Sequence, residues 1–154
     1  MLPISFEFYP PKTDEQHSQF DRTVRKLKAH APQFMSVTFG AGGSTLSHTP
    51  ETVQRLRGEH GVDGVPHLTC VGGSREEIRT LLKLYRALGC TRIVALRGDL
   101  PSGMARSGDL RYASELVRLI RDEHGDHFHV EVAAYPERSE ERRVGKECRS
   151  RWAP

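Results

Sequence analysis

The sequence predicts an α/β fold in which short strands alternate with helices along a parallel sheet. Three observations support this. Runs rich in β-branched or aromatic residues recur with a period of about 30 residues, a helical spacing of apolar residues follows each run, and capping signals precede the helical segments. Four strand–helix units and a fifth strand fill residues 4–137. Such alternation is typical of parallel sheets covered by helices.

The predicted strands begin with a hydrophobic run that carries Glu7 between two phenylalanines. Each later run has the same β-branched or aromatic character, which favours extended structure. The predicted strands cover residues 4–9, 34–39, 65–71, 92–96 and 128–134.

Local signals mark the helices between these strands. Three starts are indicated by side chains that can cap backbone N–H groups: Thr13 with Gln16, Thr49 before Pro50, and Ser74 with Glu77. The third helix is expected to close at Gly89, and the fourth to run from about Asp109 to the residue before Gly125. The apolar faces are predicted at Phe20, Val24 and Leu27; Val53 and Leu56; Ile78, Leu81, Leu82 and Tyr85; and Leu116, Val117 and Ile120.

Two closures of the parallel sheet compete. A doubly wound sheet usually carries a glycine-rich turn after its first strand, whereas here that strand runs into Tyr9-Pro10-Pro11-Lys12. The sequence therefore favours a (β/α)8 TIM barrel. Because that fold needs about 250 residues, the barrel is expected to be truncated after about its fifth strand.

Composition narrows the functional classes. Residues 1–137 hold 17 basic and 17 acidic residues, so this region is neutral overall. It lacks the stripe of basic residues that is typical of proteins that bind nucleic acids. No apolar run reaches the roughly 20 residues of a membrane span, and the N-terminus lacks a signal-peptide pattern. Three unpatterned cysteines predict neither disulfides nor a metal site. We expect a cytoplasmic protein without membrane, nucleic-acid or metal partners.

The C-terminal segment differs from the rest. Residues 138–154, RSEERRVGKECRSRWAP, hold six basic and three acidic residues, show no periodicity and contain the single Trp. We expect two regions, residues 1–137 as the first half of a barrel and residues 138–154 as an unrelated, disordered or artefactual tail. The tail resembles sequence produced when a reading frame runs into adaptor or vector DNA. A genuine basic extension is the alternative.

Polar residues stand at the predicted strand ends, which converge on one face of a barrel. They are Glu7, Thr38, His67 with Thr69, Arg97-Gly98-Asp99, and Tyr135. The aromatic neighbours of Glu7 would desolvate its carboxylate and favour the protonated form that a general acid needs. An outward-facing Glu7, or one paired with a lysine, is the alternative.

Glycine-rich loops follow the second and third strands, at residues 40–44 and 72–74. They could let the backbone approach a phosphate, although turn formation is the commoner use of such glycines. After the fourth strand, Arg97 could bind a phosphate with two hydrogen bonds and Asp99 could bind a polar heterocycle. An Arg97–Asp99 ion pair that stabilises the loop is the alternative.

Five motifs together resemble one enzyme family. SFEFYPP from residue 5, SVTFGA from residue 36, PHLTC from residue 66, ALRGD from residue 95 and AYPE from residue 134 are similar, in order and spacing, to the motifs of methylenetetrahydrofolate reductases. This resemblance covers residues 4–137. It implies a flavin-containing barrel enzyme that passes a hydride from NADH or NADPH to FAD, and then to 5,10-methylenetetrahydrofolate, giving 5-methyltetrahydrofolate for methionine supply.

The resemblance also implies roles for particular residues. Glu7 matches the family's acid, which helps to open the methylene bridge of the folate, and Asp99 matches a carboxylate near both flavin and folate. Thr38 matches a residue near the nicotinamide. The positions that match FAD contacts are His67, Leu96, Arg97, Gly98, Asp99, Tyr112, Ala113 and Tyr135.

The pattern breaks at Arg138-Ser139-Glu140, and the family's later FAD and folate contacts have no counterpart in this sequence. We therefore expect the polypeptide alone neither to hold FAD tightly nor to turn over, while full-length family members are expected to form homo-oligomers. Two alternatives are another barrel flavoenzyme such as a proline dehydrogenase, and a non-catalytic half barrel that dimerises and binds partners through its basic tail.

Overall fold

The computed structural model describes residues 4–39, 48–70, 73–98 and 108–133. These residues form five strands and four helices in strict alternation. In chain order they are β1 (Ser5–Phe8), α1 (Asp14–Lys28), β2 (Phe34–Val37), α2 (His48–Gly58), β3 (Gly64–Thr69), α3 (Arg75–Ala87), β4 (Arg92–Leu96), α4 (Ala113–His124) and β5 (His129–Val132). The predicted α/β fold with a parallel sheet is confirmed.

The strands lie in the sheet in chain order, β1-β2-β3-β4-β5, and every neighbouring pair is parallel. Doubly wound sheets instead reverse their strand order at a switch point. A consecutive order with right-handed connections puts every helix on the same face. The described part of the chain is therefore singly wound, as the first half of a barrel would be.

The hydrophobic core lies between the helices and one face of the sheet. Strand residues of one parity, such as Met35, Leu68 and Ile93, join the apolar sides of all four helices in one buried cluster. Val65, of the opposite parity, is fully buried but lies outside that cluster. Alternation along each strand thus separates a helix-covered face from a second face, which we call the inner face.

Two of the predicted N-terminal helix caps are present in the structure. Thr13 accepts a hydrogen bond from the Gln16 N–H at 3.2 Å, while the Gln16 side chain accepts from the Lys12 N–H. Ser74 and Glu77 form the complete capping box. Both caps are as predicted, apart from the return bond of Gln16, which goes to Lys12.

Two predicted helix starts are wrong. Thr49 lies inside α2, which already includes His48, and its hydroxyl donates to the Thr38 carbonyl at 3.0 Å. The last helix begins at Ala113, four residues after Asp109, because the Asp109 carboxylate instead accepts from the Arg75 N–H at 2.9 Å. In both cases the side chain predicted to start its own helix forms a hydrogen bond with a backbone group more distant in sequence.

Charged side chains join α1 to α2 on the outer side. Arg55 donates through Nε and Nη2 to the two carboxylate oxygens of Asp21, at 2.8 and 2.6 Å, and His60 Nε2 lies 2.8 Å from the same carboxylate. The Arg55 guanidinium holds the pKa of Asp21 well below its usual range. This bidentate ion pair fixes the relative rotation of the two helices.

Within the described residues, no helix combines the length and the apolar character that crossing a membrane requires. Cys70 and Cys90 are buried free thiols, and burial raises the pKa of each to about 11. Both therefore act as small apolar core residues.

The fully buried Tyr85 of α3 gives a test of this core. Its hydroxyl has no hydrogen-bond partner among the described residues, and burial raises its pKa. Because an unsatisfied buried polar group costs about 1–3 kcal/mol, Tyr85→Phe should leave the free energy of unfolding unchanged or raise it by about 1 kcal/mol. Urea denaturation measures the change.

Tyr9, which is 82% exposed, is the matched control. Tyr9→Phe should change the free energy of unfolding by less than about 0.5 kcal/mol. A loss of 1 kcal/mol or more in Tyr85→Phe would mean that the hydroxyl is satisfied in solution.

Candidate functional site

Three of the polar residues that the sequence predicts at strand ends lie at one end of the sheet. Pairing of Glu7 with Ser36, and of Val37 with Pro66, brings Glu7, Thr38 and His67 to the carboxyl ends of three adjacent strands. In parallel α/β folds this is the end where ligands bind. The three residues are therefore neighbours at this end of the sheet, and their functional roles stay predictions.

Glu7 and His67 are in contact across the intervening strand β2. His67 Nε2 lies 3.4 Å from Glu7 Oε2; the His67 side chain is 7% exposed and the Glu7 side chain 58% exposed. The expected desolvation of Glu7 by its aromatic neighbours is wrong, because Phe6 and Phe8 point to the helix-covered face. Phe8 packs edge-on against Phe20 of α1 there.

His67 is a buried base with an acidic neighbour. Burial lowers the pKa of His67, and the charge of Glu7 opposes this by raising it. The lowering prevails, so the imidazole is mainly neutral at pH 7. A neutral imidazole offers one donor and one acceptor nitrogen, which suits it to bind either form of a carboxyl group.

Thr38, the residue after β2, has a buried hydroxyl. Its Oγ1 has no hydrogen-bond partner among the described residues. Its backbone is fixed on both sides, because its N–H donates to the Phe8 carbonyl at 2.9 Å and its carbonyl accepts from Thr49. Such an unsatisfied group beside a strand end is a place where a ligand would supply the missing partner.

The end of β4 contributes Leu96, Arg97 and Gly98. Leu96 is half-buried and Arg97 is exposed, with its Nε donating to the Gly98 carbonyl at 3.4 Å. Gly98 has φ +80, a conformation that favours glycine. The exposed guanidinium is therefore presented at the strand end.

The start of α4 contributes Tyr112 and Ala113. Tyr112 is the N-cap residue and is 41% exposed, and Ala113 opens the helix. The Glu115 carboxylate accepts from the N–H groups of Arg111 and Tyr112, at 2.6 and 3.1 Å. These bonds fix the tyrosine at the same end of the sheet as the strand termini.

A contact that the sequence did not predict joins the loops after β3 and β4. The Asp109 N–H donates to the Gly73 carbonyl at 3.4 Å, and the Asp109 carboxylate accepts from Arg75 at the start of α3. Gly108 has φ +87 and lies against the backbone of Gly73. We call this contact the Gly73–Gly108 clasp. Its sequence signal was the Gly108-Asp109 pair, a common turn combination.

Other predicted site residues lie outside the described residues. These are Asp99, Tyr135, the glycine-rich segment 40–44 and Gly72, and with them the boundary at residues 137 and 138. The alternative Arg97–Asp99 ion pair therefore stays a prediction.

An open groove of about 830 Å³ extends from Glu7 toward α1. Exposed Tyr9 stands at its mouth. Its lining is Glu7, Phe8, Tyr9, Pro10, Pro11, Lys12, Gln16, Gln19, Phe20, Thr23, Thr38 and Phe39. A ligand in this groove could therefore contact the Glu7 carboxylate.

A second polar cluster lies on the outer side. Donor atoms of Asp21, Glu59 and His60 lie within 4.8 Å of one another, a spacing that a metal ion could use. Arg55 already contacts both carboxylates, at 2.6 and 3.3 Å. Because the Arg55 guanidinium already neutralises both carboxylates, the cluster acts as an ion-pair network between α1 and α2.

Comparison with known proteins identifies similar sequences. The family model described as methylenetetrahydrofolate reductase matches residues 2–147. The 5,10-methylenetetrahydrofolate reductase of Salmonella typhimurium is 40% identical over 134 residues, which are 87% of this chain and 44% of that protein.

Two eukaryotic proteins are similar as well. Methylenetetrahydrofolate reductase (NADH) 1 of Zea mays is 38% identical over 138 residues, covering 87% of this chain and 23% of that protein. Methylenetetrahydrofolate reductase 1 of Schizosaccharomyces pombe is 41% identical, covering 86% and 23%. The chain spans less than half the length of the curated relatives it matches.

The Gly73–Gly108 clasp can be tested by adding one carbon. In Gly108→Ala the new Cβ would overlap the Gly73 backbone, and the positive φ is strained for alanine. We expect a loss of about 2 kcal/mol or more in the free energy of unfolding, measured by urea denaturation.

Gly58, at the end of α2, is the control glycine, since a Cβ there would meet no atom within 4 Å among the described residues. Gly58→Ala should be neutral or stabilising by up to about 1 kcal/mol. Equal effects of the two substitutions would contradict the clasp.

The contact between Glu7 and His67 can be tested by titration. Glu7→Gln removes the charge that raises the pKa of His67 and leaves its burial in place, so the pKa of His67 should fall further below its ordinary value. NMR of the imidazole signals against pH measures this shift.

Glu131, also on the inner face but paired with Arg92, provides the control. Glu131→Gln should leave the His67 titration unchanged. An unchanged pKa of His67 in Glu7→Gln would show that the two groups do not interact in solution.

Proposed function

The chain belongs to the methylenetetrahydrofolate reductase family, and we propose that its inner face serves the flavin-dependent reduction of 5,10-methylenetetrahydrofolate to 5-methyltetrahydrofolate. The observation that carries this proposal is the contact between Glu7 and His67 at the carboxyl ends of the strands. It places a solvent-reachable acid beside a buried neutral base. The family assignment favours this reaction over that of another barrel flavoenzyme such as a proline dehydrogenase.

The proposed architecture is a (β/α)8 TIM barrel, of which the described residues are the first half. The consecutive strand order and the helices packed on one face support this.

The proposed cofactors are FAD and NADH or NADPH. FAD, when bound, would accept a hydride from the nicotinamide and pass it to the folate. The unsatisfied hydroxyl of Thr38 and the exposed Arg97 fit a ligand with ring heteroatoms and a diphosphate. The Zea mays relative carries NADH in its name, which favours NADH as donor.

The residues proposed to hold FAD are His67, Leu96, Arg97, Gly98, Asp99, Tyr112, Ala113 and Tyr135, with Thr38 near the nicotinamide. Arg97 would neutralise the diphosphate, since its guanidinium is exposed at the strand end. Tyr112 would pack against the cofactor from the start of α4, where the Glu115 carboxylate fixes its backbone. Asp99 would bind the pterin and influence the flavin.

Glu7 is the proposed acid. Its carboxyl group would protonate the substrate nitrogen at which the methylene bridge opens, and the carbon would then accept hydride. His67 can accept a hydrogen bond from the protonated carboxyl group or donate one to the ionised form. General acid catalysis of this kind contributes about 10²–10⁴-fold to a rate.

Several further expectations belong to the same proposal. We propose a cytoplasmic location, a homo-oligomeric full-length protein and a tail at residues 138–154 that takes no part in the site, although the family match extends to residue 147. The 154-residue polypeptide alone is expected to bind FAD weakly and not to turn over.

A chimera tests the proposed reaction. The 134 aligned residues of this chain would replace the corresponding segment of the Salmonella typhimurium protein. The purified chimera should retain FAD and, without oxygen, oxidise NADH over many turnovers only when 5,10-methylenetetrahydrofolate is present to accept the hydride. Glu7→Gln in the chimera should lower kcat about 10²–10⁴-fold, because the acid is lost.

Glu76, an exposed glutamate on the outer surface of α3 that pairs with Arg79, supplies the control. Glu76→Gln should keep full turnover. A folded, yellow chimera without folate-dependent turnover, or a Glu7→Gln chimera as active as the parent, would overturn the proposal.

A further inference from the structure

The Glu7 side chain is exposed and has few contacts that restrict its conformation within the described residues. Glu7 lies on β1, an edge strand in the described sheet, and more than half of its side chain is exposed. A glutamate has three rotatable side-chain bonds, so an exposed one samples many positions. A catalytic acid, by contrast, must be held within hydrogen-bond reach of the atom that it protonates.

His67 is held far more firmly. It lies inside β3, which pairs with β2 on one side and with β4 on the other, directly opposite Val94. Its side chain is almost completely buried. The imidazole therefore has a fixed position in the middle of the inner face.

The two side chains meet across β2. Glu7 pairs in register with Ser36, a small residue on the inner face, and the imidazole extends over this strand to bring Nε2 to 3.4 Å from Glu7 Oε2. A short side chain at position 36 leaves room for this contact. A larger residue there would separate the two groups.

We infer that His67 is a positioning residue for Glu7: its fixed imidazole holds the edge-strand carboxyl group over the inner face, where the proposed function requires the acid. The use of Glu7 as an acid rests on that proposed function. The contact itself rests on the geometry alone.

The chemistry of imidazole suits this role better than that of a cationic side chain. Lysine or arginine at this place would hold Glu7 ionised, which opposes proton donation. A neutral imidazole binds the carboxyl group in both protonation states, because Nε2 donates in one tautomer and accepts in the other. Positioning is thus obtained without fixing the charge of Glu7.

The test uses the full 154-residue chain without cofactor or substrate. The NMR order parameter of the Glu7 γ-methylene, which is bonded to the carboxyl carbon, reports how tightly the carboxyl group is held. In His67→Phe, which keeps the ring volume but removes both nitrogens, this order parameter should fall by about half, toward the value of a flexible side chain. His67→Gln, which keeps an N–H donor of similar reach, should restore most of it.

The control is His129→Phe, which alters another inner-face histidine, one that contacts Glu131. It should leave the Glu7 order parameter unchanged. Amide spectra of each variant verify the fold. If His67→Phe disrupts the fold, the contact is tested through Glu7→Gln instead. The NMR signal of His67 Nε2 should then shift, and an unshifted signal would overturn the inference.

Equal order parameters in the parent and in a folded His67→Phe variant would also overturn it. In the chimera, His67→Phe should lower kcat more than 10-fold with a smaller effect on the folate KM, and His67→Gln should recover part of kcat. Failure of the chimera to turn over would count against the proposed function, while the order parameters would still decide the role of His67.

Discussion

The alternation of side chains along five parallel strands is the constraint on which the rest of this structure depends. Residues of one parity, including Met35, Leu68 and Ile93, are buried against the helices, and residues of the other parity form the inner face. A shift of one residue in any strand would exchange the two sets. The hydrophobic driving force for packing the helices therefore also determines which polar side chains share the inner face.

The register between strands determines which residues of the inner face lie close together. Glu7 and His67 are 60 positions apart, and neither lies beside the other in the sheet; the pairing of both strands with β2 brings them together. The loops are fixed by comparable long-range bonds. Asp109 caps α3, and Thr49 of α2 binds the carbonyl of Thr38. The candidate site is therefore held by backbone pairing and by hydrogen bonds from residues distant in sequence, and not by surface ion pairs, which contribute little to stability.

Much of the fold could be predicted from sequence because its signals are local. Strand periodicity and the caps at Thr13 and Ser74 each involve neighbouring residues, and all were found. The two errors have different causes. The predicted start of the fourth helix is wrong because Asp109 binds a distant backbone group. The predicted environment of Glu7 is wrong because its aromatic neighbours alternate with it along β1 and face the helices. The contact with His67 needs three strands in register, which no local pattern encodes.

The inner face is polar beyond the strand ends. At the amino end of β4, Arg92 forms an ion pair with Glu131 of β5 and stacks over Phe34, with 4.9 Å from its guanidinium carbon to the ring centre. Burying such a pair costs solvation energy that only good geometry and further hydrogen bonds offset. Any protein surface that covers this face must therefore supply polar partners as well as apolar area. The exposed carboxylate of Glu7, at the carboxyl end of β1, makes the same demand of a ligand, while the buried His67 has its acidic partner already within the sheet.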